Sequence, residues 1–227
     1  SLANGSKLPQ QNIDRLAKYY QDGNYDDAEK LAKSITQQFP KHSFSWKILG
    51  SVLQKSRGTS EALNAMQQSV ALSSEDAEAY NDLGSALQEL GQFEEAEPNY
   101  RQAIVIQPDY AQAHNNLGHT LKELGRFNEA ELSYNQALVL KPDFVEVHYN
   151  LGILLHDLSR EEEAEANYRQ AIVIQPDYAQ AYNNLGNTLK VLGKLKDAEL
   201  SYNQALVLKP DFVEAHYNLG TLLHDLD

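Results

Sequence analysis

The chain has 227 residues, 42% hydrophobic and 22% charged, with 19 basic against 32 acidic residues for a formal charge of −13. That balance argues against a nucleic-acid footprint or docking on an anionic membrane. The lack of cysteine excludes disulfides, thiolate metal sites and cysteine nucleophiles. No apolar run is long enough to cross a bilayer and the start does not resemble a signal peptide, so a cytoplasmic protein is expected.

Two phrases occur twice. "NYRQAIVIQPDYAQA" stands at Asn99–Ala113 and Asn167–Ala181, and "AELSYNQALVLKPDFVE" at Ala130–Glu146 and Ala198–Glu214, each pair 68 residues apart. A shorter period lies beneath. Gly50, Gly84, Gly118, Gly152, Gly186 and Gly220 follow leucine every 34 residues, and Pro108, Pro142, Pro176 and Pro210 keep the same step. The long period is therefore two 34-residue units copied as a pair.

In chain order, residues 1–8 carry no pattern and read as a disordered or vector-derived N-terminus. Residues 9–42 form a degenerate unit with Leu16 in the glycine position, and look like an N-terminal cap. Full units are expected at 43–76, 77–110, 111–144, 145–178 and 179–212, followed by the first helix of a further unit at 213–227. Each unit reads as two helices. In 77–110, Tyr80, Leu83, Gly84, Leu87 and Leu90 form one stripe at steps of three and four, and Gly91 stops it. Ala96, Tyr100, Ala103, Ile104 and Ile106 form a second stripe, with acidic residues in the first turn, and Pro108 ends it. Pro98 lies within that second helix, where a tolerated kink near the first turn is expected.

These residues carry a resemblance to the tetratricopeptide repeat, whose pattern is W-x2-L-G-x2-Y, then A-x3-F, then P, over 34 residues. Trp46, Leu49, Gly50 and Leu53 supply the first element; Tyr80, His114, His148, Tyr182 and His216 stand at the tryptophan position in later units. The A-x3-aromatic element is Ala96 with Tyr100, Ala130 with Tyr134, Ala164 with Tyr168, and Ala198 with Tyr202. The resemblance implies an all-α, right-handed superhelical solenoid of helix-turn-helix repeats, in which glycine and alanine let helices approach and tyrosine fills the gap.

No catalytic constellation stands out, so the chain is expected not to be an enzyme and to need no cofactor or metal. His114, His148 and His216 fall in repeat register and are expected to pack. No histidine pair is spaced four apart, and the acids of Glu94–Glu97 and Glu161–Glu165 read as solvated first turns. The informative positions are repeated ones that do not join the leucine stripe. One column on the first helices is Asn116, Asn150, Asn184 and Asn218, preceded by Ile48 and Asp82. Beside it run Asn81, Asn115, Tyr149, Asn183 and Tyr217, then His119 and Asn187, and one turn on Lys122, His156, Lys190 and His224.

In tetratricopeptide proteins this face lines the concave groove. The asparagine column resembles the ladder in the arrays of O-GlcNAc transferases, where side-chain amides grip an extended peptide backbone. Asparagine that merely braces neighbouring helices is the competing reading. The carboxylate clamp of chaperone-tail-binding repeats does not match: Lys47 is in place, but Ser51, Asp82 and Gln112 replace Asn, Asn and Lys.

The expectation is therefore a scaffold that holds a protein or extended peptide in its groove, with no nucleic-acid partner and no membrane insertion. The alternative is the substrate-recognition arm of a longer enzyme, a glycosyltransferase, sulfotransferase or methyltransferase. Residues 213–227 keep Leu219, Leu222, Leu223 and Leu226 and have no polar outer face, so the natural chain is expected to continue and the helix to mediate self-association.

Overall fold

The computed structural model describes residues 8–226, apart from the side chain of Leu226. The described residues form thirteen helices and no strand. The N-terminal stretch 1–8, expected to be disordered or vector-derived, therefore lies almost wholly outside them. The chain divides after Thr120 into two compact units.

The first unit contains α1 (Gln10–Gln21), α2 (Tyr25–Gln38), α3 (Ser43–Arg57), α4 (Thr59–Leu72), α5 (Ala77–Glu89), α6 (Phe93–Ile106) and most of α7 (Ala111–Glu123). Helices adjacent in sequence pack together: α3 on α4, α5 on α6, and α2 and α4 on the first helix of the next pair. Short connections make this obligatory, because each amphipathic helix must bury its stripe against the nearest neighbours. Leu16, Ala28, Ala32, Val52, Ala62, Leu83, Ala96, Tyr100 and Ala103 form the interior.

The close approach has a visible cause. A Cβ added at Gly84 would lie 2.8 Å from the Tyr100 ring, and one at Gly50 would lie 2.7 Å from Met66 Cγ, the side chain that replaces the aromatic in that pair. Pro98 sits inside α6 without ending it, and Tyr100 two residues later is buried. Its ring removes the N–H that would have bonded the Glu94 carbonyl, a modest loss so near the helix start.

The second unit holds the last turn of α7, then α8 (Phe127–Leu140), α9 (Val145–Asp157), α10 (Glu161–Ile174), α11 (Ala179–Val191), α12 (Leu195–Leu208) and α13 (Val213–Leu226). The same logic repeats: Tyr168 fills the space over Gly152, and Tyr202 that over Gly186. Gly125 and Gly193 adopt positive φ (73° and 71°) just past α7 and α11. At each, the following N–H reaches back to a carbonyl five residues earlier, Arg126 to Leu121 at 2.8 Å and Lys194 to Leu189 at 2.9 Å, which closes the helix end. Ser159 occupies the equivalent place after α9 with φ 57°.

On α13 the leucines divide. Leu222 is fully buried, so it is not free for self-association as the sequence suggested, whereas Leu223 is 43% exposed and Tyr217 71% exposed.

Candidate functional site: the face of the first helices

At Trp46, His114, His148 and His216 the tryptophan position anchors the first helix to the turn before it. Trp46 Nε1 donates to the Pro40 carbonyl at 2.8 Å. The ring Nε2 of His114 donates to Pro108 O at 3.0 Å, that of His148 to Pro142 O at 2.9 Å, and that of His216 to Pro210 O at 2.8 Å. A carbonyl can only accept, so Nε2 carries the proton in each ring. Histidine replaces tryptophan here because both present an N–H at similar reach.

The columns singled out from the sequence turn out to be joined to one another. In the first unit Asn116 Nδ2 donates to Asn81 Oδ1 at 3.0 Å and Gln54 Nε2 donates to Glu89 at 3.2 Å. In the second, Asn184 Nδ2 donates to the Tyr149 hydroxyl at 3.2 Å and Asn218 Nδ2 to Asn183 Oδ1 at 3.0 Å. Lys122 pairs with Asp157 at 3.5 Å and Lys190 with Asp225 at 2.9 Å. All six pairs are 35 residues apart, one repeat plus one residue. Consecutive first helices are offset so that each residue meets its repeat equivalent's C-terminal neighbour.

This changes the standing of several candidates. Asn115 and Asn183 are only 6% exposed, so they belong to the packing between helices and not to an open lining. Each also donates to the Oδ1 of the following asparagine, at 3.4 and 3.3 Å. Tyr149 is half-buried, its ring 4.8 Å from Tyr178 and 6.1 Å from Tyr168. Asn187 accepts from the Tyr202 hydroxyl at 2.8 Å, and His156 Nδ1 lies 2.7 Å from the buried Glu161. His119 stacks obliquely 6.5 Å from Phe93. Asn116, Asn150, Asn184, Asn218, Lys122 and Lys190 are half-buried, while Tyr217 and His224 are exposed.

A charged group lies just ahead of the asparagine column. Lys47 Nζ is bonded to Glu78 at 2.6 Å and to Asp76 at 3.0 Å. Asp76 also caps α5, accepting from the Ala79 N–H at 2.9 Å. Asp82 stands beside them, 35 residues after Lys47, and among the described residues makes no ion pair of its own. Burial, aided by repulsion from Glu78, pushes its carboxyl up to about 6, with Lys47 opposing. Burial works against the Lys47 charge, but the Glu78 and Asp76 carboxylates outweigh it and hold the ammonium above the ordinary lysine range. A lysine so engaged is not set up to clamp a terminal carboxylate. Among the described residues, no cluster of three or more His, Asp or Glu side chains could hold a metal ion, and no helix is long and apolar enough to cross a membrane.

A tetratricopeptide repeat model matches residues 75–142, and a TPR repeat model matches residues 154–193 and 191–227. The chain belongs to the tetratricopeptide repeat family. Solved structures share its fold. PilW, described as a widely conserved type IV pilus biogenesis factor, aligns with a TM-score of 0.80 at 19% identity, over 96% of this chain and 100% of that one. PilF of Pseudomonas aeruginosa gives 0.79 at 20% identity, over 93% and 96%. YrrB, described as a TPR protein with an unusual peptide-binding site, gives 0.66 at 19% identity, over 82% and 96%. Among curated protein sequences none gives a significant match. As an array of such repeats, the chain is a protein–protein interaction scaffold.

Proposed function

We propose that the array binds an extended segment of a partner protein along the face of its first helices, acting as a binding module and not a catalyst. The observation that carries this reading is the amide geometry. Asn116, Asn184 and Asn218 each use one Nδ2 hydrogen on the preceding first helix. An amide nitrogen has two, so on Asn116 and Asn218 the second remains to donate to a carbonyl of a bound backbone whatever its side chains, whereas Asn184 also faces the Tyr168 hydroxyl. The rungs thus hold the amides in fixed orientation before a ligand arrives, which lowers the entropy lost on binding. The peptide-binding site named for YrrB supports the same class of ligand.

Panning a random 12-residue peptide library on the full chain tests this. Selected peptides should lose about ten-fold or more in affinity on Asn116→Ala plus Asn184→Ala, measured at a temperature where circular dichroism shows the variant folded. Binders indifferent to those changes, and lost instead on Val173→Lys plus Val207→Lys on the exposed face of the second helices, would move the site to the other side of the array.

We also infer self-association through α13. Tyr217 and Leu223 are exposed there, whereas their repeat equivalents Tyr149 and Leu155 are half-buried and buried on α9. Sedimentation equilibrium of the wild type against Tyr217→Lys plus Leu223→Lys decides it, because Leu222 is in the core and unsuitable for the test.

A further inference from the structure

One repeat ahead of Asn116 the column carries a charged group. Asp82 stands where Asn116, Asn184 and Asn218 stand later, so the amide there is replaced by a carboxylate. Around it the charges do not balance. Asp76, Glu78 and Asp82 surround a single cation, Lys47, whose nitrogen is already bonded to the first two.

A second observation comes from α4. The Ser69 hydroxyl is buried, the residue being only 2% exposed, and its oxygen has no hydrogen-bond partner. It lines a small half-open cavity together with Lys47, Ser51, Met66, Ala79 and Asp82. The cavity has room for about one water-sized group. A buried hydroxyl without a partner is costly, and the cavity beside it gives room for one.

We propose that this cavity and its carboxylates receive a primary ammonium group, a lysine side chain of the bound segment, which gives Asp82 the cation it lacks. The inference rests on the groove reading above and names the partner's chemistry at one position of that groove. An ammonium suits the site on three counts. It is the size of a water molecule, it has three donors for a carboxylate and the serine oxygens, and it neutralises an excess of negative charge. A planar guanidinium is larger and needs a two-oxygen fork.

The groups facing Asp82 are Lys47 from α3, Asp76 and Glu78 at the start of α5, Tyr100 from α6 and Tyr110 ahead of α7. Only Lys47 is positive. Binding a cation there requires the carboxylate form, so the preference for lysine should weaken as Asp82 takes up its proton.

The test is a comparison of peptide pools. A random 12-residue library is panned on the full wild-type chain and on Asp82→Asn, at pH 7.5 and at pH 5. The wild-type pool at pH 7.5 should be enriched several-fold in lysine over the input library. That enrichment should vanish in Asp82→Asn and fall at pH 5, while the Asp82→Asn pool still yields binders that depend on Asn116 and Asn184. Equal lysine frequency in the two pools, with that dependence intact, overturns the inference and leaves the groove reading standing. Enrichment of arginine in place of lysine overturns the assignment to an ammonium. A library with no binder that depends on the first-helix asparagines overturns both.

Discussion

Asn218 donates its amide hydrogen to the buried Oδ1 of Asn183 at 3.0 Å, and Asn116 does the same to Asn81 at the same distance. The first helices are therefore fastened to one another through the side chains that the sequence marks as groove lining. An isolated alanine replacement at either partner should lower stability by about 1 kcal/mol, because a buried amide loses its partner. A double-mutant cycle on Asn81 and Asn116, read by urea denaturation, should give a coupling of about 0.5–1.5 kcal/mol. Coupling near zero would mean that the rungs contribute nothing to the stack.

Glycine at the helix crossing is a steric requirement. A Cβ at Gly186 would sit 2.5 Å from Tyr202 Cε1, whereas one at Gly220 would meet nothing within 4 Å. Alanine is the better helix former by about 1 kcal/mol, so Gly220→Ala should be neutral or stabilising. Gly186→Ala should instead cost about 1–3 kcal/mol as the ring is pushed from its place. Thermal melts of the two variants moving in the same direction would contradict this packing account.

Much of this architecture was legible in the sequence, because periodic constraint leaves periodic residues. The step from Gly84 to Gly186 marked the crossings, and the A-x3-Tyr element named what fills them. The rungs were not legible in the same way. Lys190 and Asp225 are 35 residues apart, a separation set by the offset between consecutive helices, which no single helix's pattern contains. A search for polar pairs at one repeat plus one residue would have found it. Asn183 was read as lining because it lies off the leucine stripe, yet a first helix in a stack is covered on several sides. Leu222 was misjudged for a related reason: its cover comes from within the chain.

Ser159 is in the left-handed region at φ 57°, where Gly91, Gly125 and Gly193 serve the other turns. A side chain there carries strain of about 1 kcal/mol. Ser159→Gly should therefore stabilise the chain by about 0.5–1 kcal/mol, even though glycine adds freedom to the unfolded state. A lowered midpoint in denaturant would show that the serine hydroxyl contributes more than the strain costs.

Asp82 makes stability depend on pH in an unusual direction. Its carboxyl is raised from 3.8 to about 6 in the folded chain, so the folded state binds a proton more tightly than the unfolded one. Its contribution therefore makes the chain more stable as pH falls from above 6 towards 4, and the charged form costs about 1–2 kcal/mol at neutral pH. Asp82→Asn, which extends the asparagine column, should raise the melting temperature at pH 7.5 and leave it nearly unchanged at pH 4. A variant less stable than wild type at pH 7.5 would mean that attraction to Lys47 outweighs burial.

The last prediction concerns the histidines at the tryptophan position. Trp46 and His148 make the same bond to a proline carbonyl six residues earlier, at 2.8 and 2.9 Å. If that N–H is what the position needs, the two side chains should be interchangeable and phenylalanine should not replace them. His114 is the sharpest place to ask, since it is nearly buried and bonds Pro108 O at 3.0 Å. His114→Trp restores the donor together with a larger apolar surface, so it should be neutral or mildly stabilising. His114→Phe keeps an aromatic ring but removes the donor, and should cost about 0.5–1.5 kcal/mol. The effect belongs to the turn between repeats, so hydrogen exchange at residues 107–110 should quicken in the phenylalanine variant alone. Equal stability of the two variants would assign the position to ring packing and remove the hydrogen bond from the account.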